Sequence, residues 1–325
     1  MSLEADQIVD RRNIRRKLTF WRVIAALVAI AAVITVAMAT SGRTGFARTT
    51  AGSIARVTIS GLIRSNQERV EALDRLGRSA TQAVIVHINS PGGTTAGAEE
   101  LHAALLRLKA KKPLVVVVDG LAASGGYITA IASDHIVSLE TSLVGSIGVL
   151  VQYPNVSELM QTLGIKVESI RSSPLKAAPS GYEPTNPEAT EAMRAVVLDS
   201  YAWFRGMVKD RRGFDDAALE KVADGRVFTG RQALGLKLVD ELGNEQTALA
   251  WLAREKKIDA QTPVRDYSLQ SSLGDLSFLR LVALALDAVG LSSFGRQVAA
   301  WSALQTIESL NLDGVLALWH PRATN

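Results

Sequence analysis

Two short glycine-bearing turns, each placed directly after a run of β-branched apolar residues, limit what this chain can fold into. Asn89-Ser90-Pro91-Gly92-Gly93 follows Ala83-Val84-Ile85-Val86-His87-Ile88, and Ala122-Ala123-Ser124-Gly125-Gly126-Tyr127 follows Leu114-Val115-Val116-Val117-Val118. Continuous apolar runs of this length read as strands buried on both faces, the pattern of a parallel sheet. Between them, residues 94–109 carry Leu101, Leu105 and Leu108 on one helical stripe, which makes the segment a strand, helix, strand crossover. Both turns then stand at the carboxyl edge of the sheet, where open α/β sheets bind their ligands. Ser124 falls where a helix begins, and Gly125 and Gly126 leave backbone N–H groups open to a substrate, a position suited to a nucleophile.

The rest of the chain alternates in the same way. Strands are expected over 54–59, 135–139, 141–151, 164–170 and 264–267, and helices over 66–76, 124–131, 156–163, 187–212, 230–236 and 245–257. Pro187 suits a first helical turn, and Thr229 suits an N-cap. Residues 171–187 hold Pro174, Pro179, Pro184 and Pro187 and are expected as an irregular, functional loop. The fold class is therefore α/β with a mostly parallel sheet.

Outside this region the sequence changes character. Residues 23–39 run without a charge, and Leu18, Phe20 and Trp21 extend the run to roughly 30 Å of helix. A transmembrane anchor is expected over 18–40, after a basic segment 1–17 and before a linker 41–53. The basic excess before it, with Arg11, Arg12, Arg15, Arg16 and Lys17, places the N-terminus in the cytoplasm and the rest of the chain on the outer side. Ala37-Met38-Ala39 also fits a leader-cleavage site; the length of the apolar run favours an uncleaved anchor. The net charge of +4 gathers at this flank, which speaks for a membrane surface and against a nucleic-acid partner. Residues 268–325 form an extension with helical patterns over 278–289 and 296–310 and a last apolar piece over 315–319. The second pattern is amphipathic and fits packing on protein or contact with a membrane surface.

The residue inventory narrows the chemistry. The absence of cysteine rules out a thiol nucleophile and cysteine-ligated metal, and no His-Glu-x-x-His run offers a metal site. No phosphate-binding loop or dinucleotide fingerprint is present, so no cofactor is expected. A serine nucleophile needs a base within reach and oxyanion donors, which the N–H groups of Gly93 and Gly125 could supply if the two strand ends are neighbours. Of the four histidines, His102 falls on the crossover helix and His320 near the terminus, while His135, opening an apolar strand, and His87, close to the first turn, read as structural. A lysine serves as base if its pKa falls by roughly 2 to 3 units from about 10.4, which costs about 3 to 4 kcal/mol and needs burial or positive neighbours. Lys176 lies in 169–182, a stretch without an acid and close to Arg171.

Four motifs in order, Asn89-Ser90-Pro91-Gly92-Gly93, Ala122-Ala123-Ser124-Gly125-Gly126-Tyr127, Gly145-Ser146-Ile147-Gly148, and Gly225-Arg226-Val227-Phe228-Thr229-Gly230-Arg231-Gln232-Ala233 with Val239-Asp240-Glu241-Leu242-Gly243, give residues 54–257 a resemblance to the signal peptide peptidase A family. The resemblance is to its short, single-domain type, membrane-anchored Ser-Lys peptidases sharing the fold of Clp protease and crotonase, built of repeated ββα units. It implies a peptidase domain over 54–267 with Ser124 as nucleophile and Lys176, 52 positions later, as general base. It also implies that Ser146 orients the lysine and that Gly93 and Gly125 form the oxyanion hole. Further implications are a lysine supplied by a neighbouring protomer of a ring-like homo-oligomer, a bacterial cytoplasmic membrane with the catalytic domain periplasmic, and apolar peptides, including cleaved signal peptides, as substrates. Alternatives are a crotonase-like acyl-CoA hydratase or isomerase, a non-catalytic membrane scaffold, and a histidine-based triad using His135.

Overall fold

The computed structural model describes residues 17, 20–24, 52–269 and 316–318. Most of the expected anchor 18–40, the basic segment 1–17 and the helical patterns over 278–289 and 296–310 lie outside the described residues, as does His320. Among the described residues no helix is long and apolar enough to cross a membrane.

The chain from β1 (Ile54–Ser60) onward alternates as its sequence pattern requires. α1 (Gln67–Gly77), β2 (Ala83–Ser90), β3 (Gly92–Thr94), α2 (Thr95–Lys109), β4 (Leu114–Ala123) and α3 (Gly125–Ala130) come first. They are followed by β5 (His135–Ser138), β6 (Leu143–Gly145), α4 (Ser157–Thr162), α5 (Pro187–Arg212), α6 (Asp216–Glu220) and β7 (Val227–Thr229). α7 (Gly230–Gly235), β8 (Glu241–Leu242), α8 (Glu245–Lys256) and β9 (Val264–Asp266) complete the continuous part, and β10 (Leu316–Leu318) stands apart in sequence. Five of the helices begin where side chains cap them: Asn66, Thr94, Asn186 and Asn244 each accept a backbone N–H of the first turn, and Thr229 with Gln232 forms a capping box.

The main sheet runs β7-β6-β4-β2-β1-β9, with β5 paired to β4 and β8 to β5. Every pairing is parallel except β6 with β7. β4 is the fork: Val115 to Val118 pair with β5, and Leu121 to Ala123 pair with β6.

Alternation along the strands separates two cores. Val84, Val86, Ile88, Val116 and Val118 face the larger one, with Leu101, Leu105 and Leu108 of α2, Tyr127 of α3 and Phe204 and Val208 of α5. Ala83, Ile85, Val115 and Val117 face the smaller one, with Ala248, Leu249, Trp251 and Leu252 of α8. Burial on both faces is why these strands are unbroken apolar runs, each large side chain contributing about 1.5–3 kcal/mol.

Four expectations need correction. The first turn is itself partly a strand, since Gly92 to Thr94 form β3. The strand expected over 141–151 is only Leu143–Gly145, after which the backbone turns through Ser146 at a positive φ. Residues 164–170 form no strand: they are exposed and meet no neighbouring strand among the described residues, so their β-branched composition has no ladder to join. Within the extension expected to be helical, residues 316–318 form a strand.

Two polar contacts, one buried and one partly buried, fix the frame. Tyr127 is fully buried, burial pushes its hydroxyl well above the ordinary tyrosine range, and it donates to the Leu238 carbonyl at 2.8 Å. Tyr127→Phe leaves that carbonyl unpaired and is expected to lower unfolding stability by about 1–2 kcal/mol in a urea titration. At the other face, Glu245 accepts from Arg56 at 2.5 and 2.6 Å and contacts His87 Nε2 at 2.9 Å; the Arg56 and His87 hydrogen bonds hold its carboxyl below the usual carboxylate range. A depressed carboxyl pKa stabilises the fold above its unfolded value, and that part is lost as pH falls through the folded one. Wild type is therefore expected to lose stability in acid more steeply than Glu245→Gln, measured by melting temperature between pH 6 and pH 3.

Candidate active site

Parallel register brings the predicted site residues together at one sheet edge. Ala122 pairs with Ser90 at the end of β2, and Ala123 pairs with Gly145 at the end of β6. Ser124 and Ser146 are each one residue past the last of these pairs, so the ends that carry them are neighbours at the inter-strand spacing of about 5 Å.

Ser124 itself is bent out of the strand. Its φ of 54° and ψ of −116° lie where residues with a side chain rarely sit, at a cost of about 1–3 kcal/mol. Three hydrogen bonds hold it there. Its N–H donates to the Gly145 carbonyl at 2.8 Å, and its carbonyl accepts from the N–H groups of Tyr127 and Ile128, each at 2.9 Å. The side chain does not cap α3; its hydroxyl instead lies 3.4 Å from the Gly148 carbonyl, a long contact. The residue is 1% exposed.

The donors expected for an oxyanion are distributed around this bend. α3 uses the N–H groups of Tyr127 and Ile128 for its first bonds, and Gly125 and Gly126, ahead of them, have no acceptor within the helix. Glycine at 126 is required by contact, because a Cβ there would lie 2.7 Å from the Ser90 carbonyl oxygen. Glycine at 93 is required still more: a Cβ would lie 1.8 Å from the Ile63 carbonyl oxygen. Ile63 is bonded to this strand, donating to Gly92 at 2.8 Å and accepting from Thr94 at 2.9 Å.

Ser146, 8% exposed and at φ 49°, donates its backbone N–H to the Arg226 carbonyl at 2.8 Å, and its hydroxyl makes no hydrogen bond among the described residues. The structure thus gathers Gly93, Ser124, Gly125 and Ser146 but not Lys176. Lys176 is exposed on a turn in which its N–H donates to Ser173, and its ammonium has no hydrogen bond or ion pair among the described residues. Arg171 grips Glu183, one of the two acids that flank the lysine's stretch, through two bonds of 2.9 and 2.7 Å. Among the described residues no cluster could hold a metal ion.

The histidines fall elsewhere. His135 pairs with Val115, eight residues of strand before Ala123, about 25 Å away along β4. Its ring stacks on Trp251 at 4.8 Å and its Nε2 meets Glu241 at 3.1 Å. His102 is buried with Nδ1 at 2.6 Å from the Ile128 carbonyl. His87 lies between Asp119 and Glu245 on the α8 face, a cluster that sequence reading missed because its members are 32 and 158 positions apart.

A mostly parallel α/β sheet with a strained serine between strand and helix defines the class of protein in which a hydroxyl is presented at a sheet edge. The sequence model of peptidase family S49 matches residues 106–259. A Synechocystis sp. protein named "Putative protease slr0021" is 34% identical over 216 residues, covering 66% of this chain and 78% of that protein. "Putative signal peptide peptidase SppA" of Enterococcus faecium is 29% identical, covering 71% of this chain and 62% of that protein. "Protease 4" of Salmonella typhi is 33% identical over 54% of this chain, which spans only 29% of that longer protein. The chain belongs to peptidase family S49. Among solved structures, a ClpP1 variant from Listeria monocytogenes superposes with a TM-score of 0.40 at 17% identity, over 61% of this chain and 94% of that one.

Gly126→Ala tests the close approach of β2 and α3. The methyl group forces the helix start away from Ser90, and a loss of about 1–3 kcal/mol is expected by denaturant titration. Unchanged stability would show that the two backbones are farther apart.

Proposed function

We propose that this chain is a membrane-anchored serine endopeptidase with a Ser124–Lys176 dyad that cleaves apolar peptides, remnant signal peptides among them. The observation that carries the reading is Ser124, held in a strained backbone conformation beside the N–H of Gly125, which has no acceptor within α3, in a chain of a peptidase family. Ser124 Oγ attacks the substrate carbonyl carbon while the Lys176 amine takes the hydroxyl proton. The N–H groups of Gly93 and Gly125 stabilise the oxyanion, and the C–N bond then breaks, the proton passing from lysine to the leaving amine. Water, deprotonated by the same lysine, attacks the acyl-enzyme, releases a carboxylate and restores the serine. Ser146 orients the lysine.

The lysine is proposed to come from a second copy. Lys176 has no side-chain partner among the described residues, and the arm around it exposes the large apolar side chains of Ile165, Val167, Ile170, Leu175 and Tyr182. A ring of copies would cover that surface and desolvate the amine. The apolar run over 18–40 would anchor the ring in the cytoplasmic membrane with the peptidase domain on the periplasmic side, close to membrane-derived peptides. The name of the Enterococcus faecium relative supports the substrate class. The place of His135 argues against a histidine triad.

Ser124→Ala and Lys176→Ala are each expected to abolish hydrolysis of an apolar fluorogenic peptide while the oligomer persists by light scattering. Co-expression of the two variants is expected to restore partial activity, since intact serine and intact lysine then meet across an interface. Full activity in Lys176→Ala alone sinks the dyad, and no recovery in the mixture places the lysine in the same copy.

A further inference from the structure

The segments that meet at the nucleophile are empty of charge. Residues 88–98, 120–133 and 141–157 hold no acid, no basic side chain and no histidine; their titratable groups are Tyr127, which donates to the Leu238 carbonyl, and Tyr153. His87 and Asp119, just outside these segments, bond each other on the α8 face. The loop leading into β7 is different. It carries Asp224 and Arg226, and its backbone touches the wall of the site twice. The Arg226 carbonyl takes the Ser146 N–H at 2.8 Å, and a Cβ on Gly148 would meet the Gly225 Cα at 3.5 Å. Gly148 is the residue whose carbonyl lies 3.4 Å from the Ser124 hydroxyl.

Within this loop the two charges are folded onto each other. Gly225, at φ 87°, makes a turn that glycine adopts readily and other residues do not, and it brings residues 224 and 226 together. The Arg226 Nε donates to Asp224 Oδ2 at 2.6 Å, a second guanidinium nitrogen reaches the same oxygen, and the Arg226 backbone N–H donates to Oδ1 at 3.2 Å. The guanidinium bond above all holds the Asp224 carboxyl below the usual carboxylate range, so the group is ionised near neutral pH. Both residues are exposed, and an exposed ion pair contributes little to stability. Glu140, Glu183 and Glu220 on neighbouring elements are each held by an arginine as well: Arg231, Arg171 and Arg205. Glu168 is exposed on the lysine's own arm, while Lys221, three residues before Asp224, and Arg64, which follows Ile63, add positive charge.

We propose that Arg226 is a positioning residue for catalysis: it masks Asp224, so that the amine entering beside Ser146 meets no bare carboxylate and stays neutral. The inference rests on the Ser–Lys reading for the identity of the base. A carboxylate within about 4–6 Å favours the charged form of an amine, and an ammonium cannot take the serine proton. The balance between these two side chains matters because the segments around the nucleophile carry no charge to offset it.

The test uses the full-length protein in detergent, with Arg226→Gln, Asp224→Asn and the double variant, their assembly checked by light scattering. The readout is the pH dependence of kcat/KM on an apolar fluorogenic peptide, whose acid limb reports the base of the free enzyme. Arg226→Gln unmasks the carboxylate and is expected to move that limb to higher pH by about half a unit, roughly a threefold loss of rate along it. Asp224→Asn leaves the guanidinium alone and moves the limb to lower pH, and the double variant brings it back near the wild-type position. A purely structural disturbance lowers the rate at every pH and leaves the limb in place. An unmoved limb in Arg226→Gln, or a shift that survives in the double variant, overturns the inference. Should Arg226→Gln fail to assemble, an unmoved limb in Asp224→Asn overturns it instead. A failure of the Ser–Lys reading looks different and takes the inference with it: hydrolysis persists in Lys176→Ala, or no form cleaves the peptide at any pH.

Discussion

Three backbones converge at the carboxyl edge of the sheet, and the rest of the structure depends on how closely they approach. Register places Ser90, Ala122, Ala123 and Gly145 side by side, the Gly145 carbonyl takes the Ser124 N–H, and a Cβ at residue 126 would collide with the Ser90 carbonyl. The strain at Ser124, about 1–3 kcal/mol, is small beside what the two buried faces of β2 and β4 contribute. A sheet buried on both sides can hold a strained residue at its edge because no single bond has to do so.

Much of this was legible in sequence. β2, α2, β4 and α5 were readable because their apolar periodicity is long and their boundaries are chemical: Thr94, Asn186 and Pro187 at starts, glycine and proline beyond. The strained serine was foreshadowed by Gly125 and Gly126. What failed was short or depended on partners. Residues 164–170 have the composition of a strand, yet a strand exists only where another backbone meets it, and none among the described residues does. β3 was hidden because its three residues are two glycines and a threonine, which carry no pattern; its pairing with Ile63 and β10 creates it. The His87, Asp119 and Glu245 cluster joins strand and helix ends far apart in sequence, and no local signal announces it.

Two features set the surroundings of the site apart. Among the described residues, Lys176 is exposed and its ammonium has no partner, which is the observation behind the proposed meeting of serine and lysine across an interface. The edge of β3 that faces away from Ile63 is paired with residues 316–318 of the same chain.

The most direct measurement is a structure of the assembled protein with a peptide aldehyde bound to Ser124. The account predicts the Lys176 Nζ of a neighbouring copy within about 2.6–3.2 Å of the Ser124 Oγ, the distance a general base requires. A different base at that oxygen, or a Lys176 still exposed in the assembly, would contradict it.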